Sequence, residues 1–249
     1  MKNEIILWLS SIVIVFLIGY VKNVTDKDYP TTGTFGIEGY KVSYKLDKET
    51  FDQSSYKNIV ISDIKGLTGK IFWFKEDERN ELTFQEIERG LTCEIPSLKP
   101  GQKIAYKLIL NYKNRTYTIP EKDFVRLTFW GNIPSPVNIL YLILMYGGLI
   151  LSIRCLLELF NEQKNLKKYA FITSALFIIL TAIIFPLRNS YKLGAINSYV
   201  PPFTDLLSPV LMVILLLWIV GTILLFRKKY SGAITVLLVF PTVVLFFFL

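Results

Sequence analysis

The sequence predicts a membrane α-helical domain of five transmembrane helices that carries one extracytoplasmic all-β domain, an immunoglobulin-like sandwich. Three observations predict it: five apolar stretches, one polar block lying between the first and second of them, and alternating apolar and polar residues inside that block. A helix of about 20 apolar residues crosses the ~30 Å hydrocarbon layer and satisfies its own backbone there. Apolar residues make up 52% of the chain and charged residues 19%. The two classes are segregated along the sequence rather than mixed, which is the pattern of a membrane protein.

The spans are expected at Ile5 to Val21, Val137 to Leu159, Tyr169 to Leu187, Leu206 to Phe226 and Ala233 to Leu249. They divide the chain into an N-terminal anchor (1–21), a water-soluble block (22–133) and a four-helix domain (134–249). The first run follows a Lys, as in a secretory signal, but Tyr20-Val21-Lys22-Asn23 is a poor cleavage site and the run is expected to remain as an anchor. Lys164, Lys167 and Lys168 join spans two and three, and Arg227, Lys228 and Lys229 join spans four and five. Basic residues in short loops stay on the cytoplasmic side. The N-terminus is therefore expected inside, residues 22–133 outside and Leu249 at the outer surface of a bacterial cytoplasmic (inner) membrane.

The net charge of +8 follows this topology. The soluble block holds 18 Lys and Arg against 16 Asp and Glu, so most of the excess sits in the cytoplasmic positions. A nucleic-acid partner has no support in that distribution. Histidine is absent, which removes the commonest ligand of haem and zinc and the commonest general base near neutral pH. No cofactor, metal site or catalytic residue is assigned. Cys93 and Cys155 are expected on opposite sides of the membrane, where they cannot pair within one chain.

Within the block, Tyr40, Val42, Tyr44 and Leu46 form one alternating row, Ile104, Tyr106, Leu108 and Leu110 a second, and Val125, Leu127 and Phe129 a third. Shorter candidates are Asn58 to Ser62, Lys70 to Phe74, Leu91 to Ile95 and Thr116 to Ile119, with Gly, Pro and Asn between them as turns. About seven strands in roughly a hundred residues point to a small antiparallel sandwich. Phe72, Trp73 and Phe74 form a candidate aromatic binding patch, although a central strand buried on both faces accounts better for apolar residues pointing both ways. The acidic run Glu76-Asp77-Glu78, followed by Glu81, Glu86 and Glu88, lacks the spacing of a calcium loop or a glycosidase pair and reads as a solvated hairpin.

In span two, Arg154 and Glu158 lie four apart, placed to pair and snorkel toward the inner surface. The interiors of spans three to five carry no charge, so proton- or sodium-driven transport is not expected. Gly148 and Ser152 in span two and Gly221 in span four are small-residue positions for close helix packing. The outer connection Arg188 to Asp205 is long for a bundle turn. Its Arg188, Lys192, Tyr199 and Asp205 form a candidate polar site, and the loop is expected to pack near Asn132 to Pro136. Ser208-Pro209 reads as a helix cap followed by a first-turn proline.

Thr34-Phe35-Gly36-Ile37-Glu38-Gly39 leading into Val42 to Leu46, Gly69 to Trp73, Ile95-Pro96, Pro100 to Tyr106 and Val125 to Ile133 together resemble uncharacterised bacterial polytopic membrane proteins with one anchor, an outer β-domain and a four-helix tail. The resemblance implies that architecture and no particular activity. Such proteins carry a polar stretch entering span four. Here the matching Pro202 to Pro209 keeps only Asp205 as a charge.

The expected partners are the lipid bilayer and another membrane or envelope protein, with the chain acting as a non-catalytic subunit whose outer domain binds or positions that partner. The alternative is an enzyme or transporter handling a lipid or glycan at the junction of the outer loop and the β-domain.

Overall fold

The computed structural model describes residues 2–51, 55–75, 78–161, 165–196, 201–227 and 231–249. The chain divides into a helical unit and a β unit. The helical unit contains α1 (Lys2–Thr25), α2 (Ser135–Leu157) with a 3-10 turn Glu158–Phe160, and α3 (Leu166–Ile179), which runs through a π turn, Leu180–Ile184, into α4 (Phe185–Lys192). The short α5 (Phe203–Leu206), then α6 (Pro209–Arg227) and α7 (Ser231–Phe246) follow. The Ser208 Oγ accepts the Leu211 N–H at 3.3 Å, the cap that the sequence places before Pro209.

Four helices are long and apolar enough to cross a membrane: Glu4–Thr25, Ser135–Phe160, Leu166–Lys192 and Pro209–Arg227. Their outward side chains are apolar, Phe16 being 80% exposed, and so extensive an exposed apolar surface marks contact with lipid. The last apolar helix, α7, has 16 residues, about 24 Å at 1.5 Å per residue. Tighter turns prolong it, with Phe247, Phe248 and Leu249 each donating to a carbonyl three residues back.

Helix α2 packs against α1, α3 and α7, and α6 packs against α3 and α7, so that α2, α3, α6 and α7 close a ring with α1 outside it. Hydroxyls tie the ring together where apolar packing alone gives little directionality in lipid. Ser174 Oγ lies 2.8 Å from Thr222 Oγ1, and Trp218 Nε1 donates to Thr242 Oγ1 at 2.9 Å.

The β unit comprises Lys27–Asn132 together with Lys192–Gly194. Its strands are β1 (Thr31–Ile37), β2 (Tyr40–Leu46), β3 (Glu49–Thr50), β4 (Ser55–Ser62), β5 (Thr68–Lys75), β6 (Glu78–Thr83), β7 (Gln85–Ile87), β8 (Gly90–Pro96), β9 (Lys103–Tyr112), β10 (Arg115–Ile119) and β11 (Val125–Phe129). One sheet has the order β1-β2-β4-β8-β7 and the other β3-β11-β9-β5-β6, with β10 also on β9. One core joins them, with Val42, Val60 and Ile95 from the first sheet and Ile71, Leu108 and Leu127 from the second all fully buried. The pairing is antiparallel except for β3 on β11, which departs from the all-antiparallel expectation. Only two residues of β3 touch that edge as the chain passes, held by Thr128 N to Lys48 O and Trp130 N to Thr50 O.

Tyr106 donates to the Asp47 carbonyl at 2.9 Å and lies 3.3 Å from the Tyr56 hydroxyl. Burial pushes both phenols up, and it pushes the Cys93 thiol from 9.0 to about 11. Unfolded, these groups ionise first, so stability conferred by their neutral forms is present below about pH 9 and falls as pH rises from there through about 11. At pH 8 the shift cuts the Cys93 thiolate fraction about 100-fold. In a Cys155→Ala background, iodoacetamide is expected to modify Cys93 at that reduced rate or slower until the protein unfolds. Modification at the rate of a free thiol would contradict this burial.

Candidate functional site

The β1–β2 hairpin turns through Glu38 and Gly39, with φ of 49° and 88°, and the β9–β10 hairpin through Lys113 and Asn114, with φ of 44° and 64°. Paired left-handed residues make two-residue turns whose twist matches that of the strands. Lys113 Nζ meets the Glu38 carboxylate at 2.6 Å, which ties the two turns together.

Behind that link, Phe35 of β1 packs on Tyr117 of β10 at 5.6 Å and on Tyr44 of β2 at 6.3 Å. A cleft of about 390 Å³ lies between the edge strands, lined by these three rings, the hydroxyl-bearing Thr34, Thr116 and Thr118, and Glu121. Half-buried rings beside exposed hydroxyls supply apolar contact and hydrogen bonding at one place, the combination found in binding sites. Phe35, Tyr44 and Tyr117 come from separate segments, and only the second stands in an alternating row of the sequence. Their meeting depends on the two sheets facing each other.

The aromatic run lies elsewhere. Ile71 and Trp73 belong to the core, while Phe72, 8% exposed, lies under the Arg79 guanidinium at 4.8 Å. Phe74 packs edge-on against Phe124 at 5.1 Å.

The four outer-loop residues are dispersed. Arg188 donates through Nε to Asn138 Oδ1 at 3.0 Å and stacks on Tyr141 at 4.4 Å. Asp205 offers its carbonyl to Asn189 Nδ2 and its carboxylate to Thr204. Lys192 belongs to the β unit, where it lies 3.5 Å from the Glu49 carboxylate and 4.1 Å over the Trp130 ring, and its carbonyl accepts the Gly131 N–H. Tyr199 lies outside the described residues.

In the helical unit, a Cβ on Gly148 would fall 2.9 Å from the Phe177 ring, and one on Gly221 would fall 2.2 Å from Leu238. Ser152 Oγ donates to the Gly148 carbonyl at 2.7 Å. Gly148 and Gly221 thus seat neighbouring helices of the same chain, while the Ser152 bond stays within α2.

Arg154 and Glu158 do pair, but neither reaches water, both being 0% exposed. This corrects the snorkelling expectation. Asn161 Nδ2 and the Asn165 N–H donate to Glu158 Oε1 at 3.2 and 2.9 Å, and Tyr169 and Trp8 lie 4.9 and 5.7 Å from the guanidinium. Those groups replace the water the charges would otherwise seek. Among the described residues no group of three or more His, Cys, Asp or Glu is placed to hold a metal ion. No family model, curated protein or solved structure matches this chain.

Proposed function

We propose that the chain is a non-catalytic membrane subunit in which five spans hold an outer, immunoglobulin-like β-domain that binds a partner protein. The observation that carries this reading is the cleft between β1 and β10, which three half-buried aromatic rings and three threonines line at the edge of the two-sheet core.

The five-span topology draws support from levels within the helical unit. Gly232, at the start of α7, lies near Leu159, at the end of the second span. Phe246, at the other end of α7, meets Tyr146 of α2 at 6.0 Å and lies under Lys22 of α1 at 5.7 Å. Helix α7 therefore runs from the Leu159 end of α2 to its middle and to within a turn of the end of α1, and a local thinning of the bilayer accommodates its shortness at modest cost. The basic residues Lys167, Lys168 and Arg227 then fall on one side, where the positive-inside tendency assigns them to the cytoplasm.

A photo-crosslinking residue at Thr116 tests the function in intact cells, with Thr83 as the exposed control. The expected result is one discrete adduct from Thr116, none from Thr83, and a loss of about fivefold or more in Tyr117→Ala, whose ring contributes a large share of the contact. Absence of the Thr116 adduct would end the proposal.

A further inference from the structure

We infer that β1 accepts an extended strand of a partner protein along its open edge, with apolar side chains of that strand entering the adjoining cleft and a basic residue facing Glu121. The inference deepens the reading of the cleft as a partner site and rests on it.

The direction of β1's hydrogen bonds follows from its turn. In a two-residue hairpin the residues flanking the turn, Ile37 and Tyr40, exchange both backbone hydrogen bonds. Alternation then directs the N–H and C=O groups of Thr31, Gly33, Phe35 and Ile37 toward β2. Those of Thr32, Thr34 and Gly36 point away from it, and β1 is the last strand of its sheet. The same three residues are exposed. An added strand pairing with them continues the sheet, and its core-facing side chains extend the row formed by Gly33, Phe35 and Ile37 into the space beside Tyr117.

The other edges carry the usual protection against such pairing. Strands β3 and β7 have two and three residues. Strand β6 bears Glu78, Arg79 and Glu81, and β10 begins at Arg115 and stops before Pro120. Strand β1 is seven residues long, uncharged, free of proline and paired with β2 without a bulge. A bare edge next to an aromatic cleft is the arrangement of strand-addition sites, in which main-chain bonds supply affinity and alternate side chains supply selectivity. Glu121 is the one charged residue lining the cleft among the described residues, which favours a cationic group on the incoming segment.

The test uses the full chain in detergent micelles and, as probe, a heptapeptide alternating valine and threonine with a C-terminal lysine. Peptide binding is expected to slow amide hydrogen exchange at Thr32, Thr34 and Gly36 while leaving Gly33 and Phe35 unchanged. Thr34→Pro removes an outward donor without touching a β1–β2 bond, a position where edge strands tolerate proline. It is expected to weaken binding about tenfold, and distinctly more than Thr34→Ala, which loses the hydroxyl but keeps the outward N–H. N-methylation of the peptide along one edge should abolish binding independently of any folding effect in the variant, with methylation of the other edge harmless.

Failure of the peptide to bind, binding to Thr34→Pro at wild-type strength, or protection elsewhere would overturn strand addition. In cells the two readings separate. A Thr116 adduct that survives Thr34→Pro but is lost in Tyr117→Ala would leave the cleft reading standing and remove the strand. Loss in both variants supports the two together.

Discussion

Glu158→Leu is expected to destabilise the helical unit by about 3–5 kcal/mol, the range for removing one member of a buried ion pair. Arg154→Leu should cost distinctly less. The asymmetry comes from what remains. Without Glu158, the Arg154 guanidinium loses its one acceptor among the described residues, where its Nε and Nη2 already have no hydrogen-bond partner. A buried guanidinium left without an acceptor carries an uncompensated charge. Without Arg154, Glu158 keeps the Asn161 amide and the Asn165 N–H as hydrogen-bond donors. A double variant, Arg154→Leu with Glu158→Leu, removes both charges and is expected to recover most of the loss. Thermal unfolding in detergent, followed by the monodisperse fraction on gel filtration, measures all three. A double variant no more stable than Glu158→Leu would show that the site is held by something other than charge compensation.

The second large effect is expected at Gly90→Ala, where the cost should reach about 3 kcal/mol or more, since strain and overlap act together. Gly90 has a φ of 133°, and a Cβ there would lie 2.0 Å from the Val60 carbonyl oxygen and 3.0 Å from Ile61 Cα. Both obstacles are backbone of β4, which pairs with β8 at Ile61 and Gly90, so the methyl can be admitted only by parting two central strands. Gly39→Ala is the matched control. Its φ is 88°, but nothing lies within 4 Å of the added carbon, leaving only a backbone penalty of about 1 kcal/mol. Equal unfolding temperatures for the two variants would refute the steric argument.

The legible strands share a property. In β9 and β11, the buried positions Ile104, Tyr106, Leu108, Leu110, Val125, Leu127 and Phe129 are all apolar and spaced by two. Strand β4 keeps the same period but reverses the usual chemistry. It buries Asn58 and Ser62 and leaves Ile59 and Ile61 exposed, because Asn58 donates to the Lys45 carbonyl and Ser62 accepts the Ile64 N–H. Strand β6 gave no apolar row because it is an edge with charged side chains on it. Strand β1 escaped notice because two of its core-facing positions, Thr31 and Gly33, are not apolar, the latter lying beneath the Tyr44 hydroxyl. The strand that carries the candidate site was therefore among the least visible. The polar residues of the outer connection, by contrast, were conspicuous in sequence and are divided between the two units.

Apolar length and charge segregation by themselves determined that this chain has membrane-spanning helices and one strand-rich polar block. Those properties act locally, since each helix closes its own hydrogen bonds and each half-buried strand alternates on its own. Which edges stay open, which rings meet between the sheets and how a buried charge pair is compensated were decided only by the tertiary structure. Each of these depends on groups far apart in the chain, such as Phe35 with Tyr117 or Trp8 with Arg154, whose contact has no periodicity in sequence to announce it.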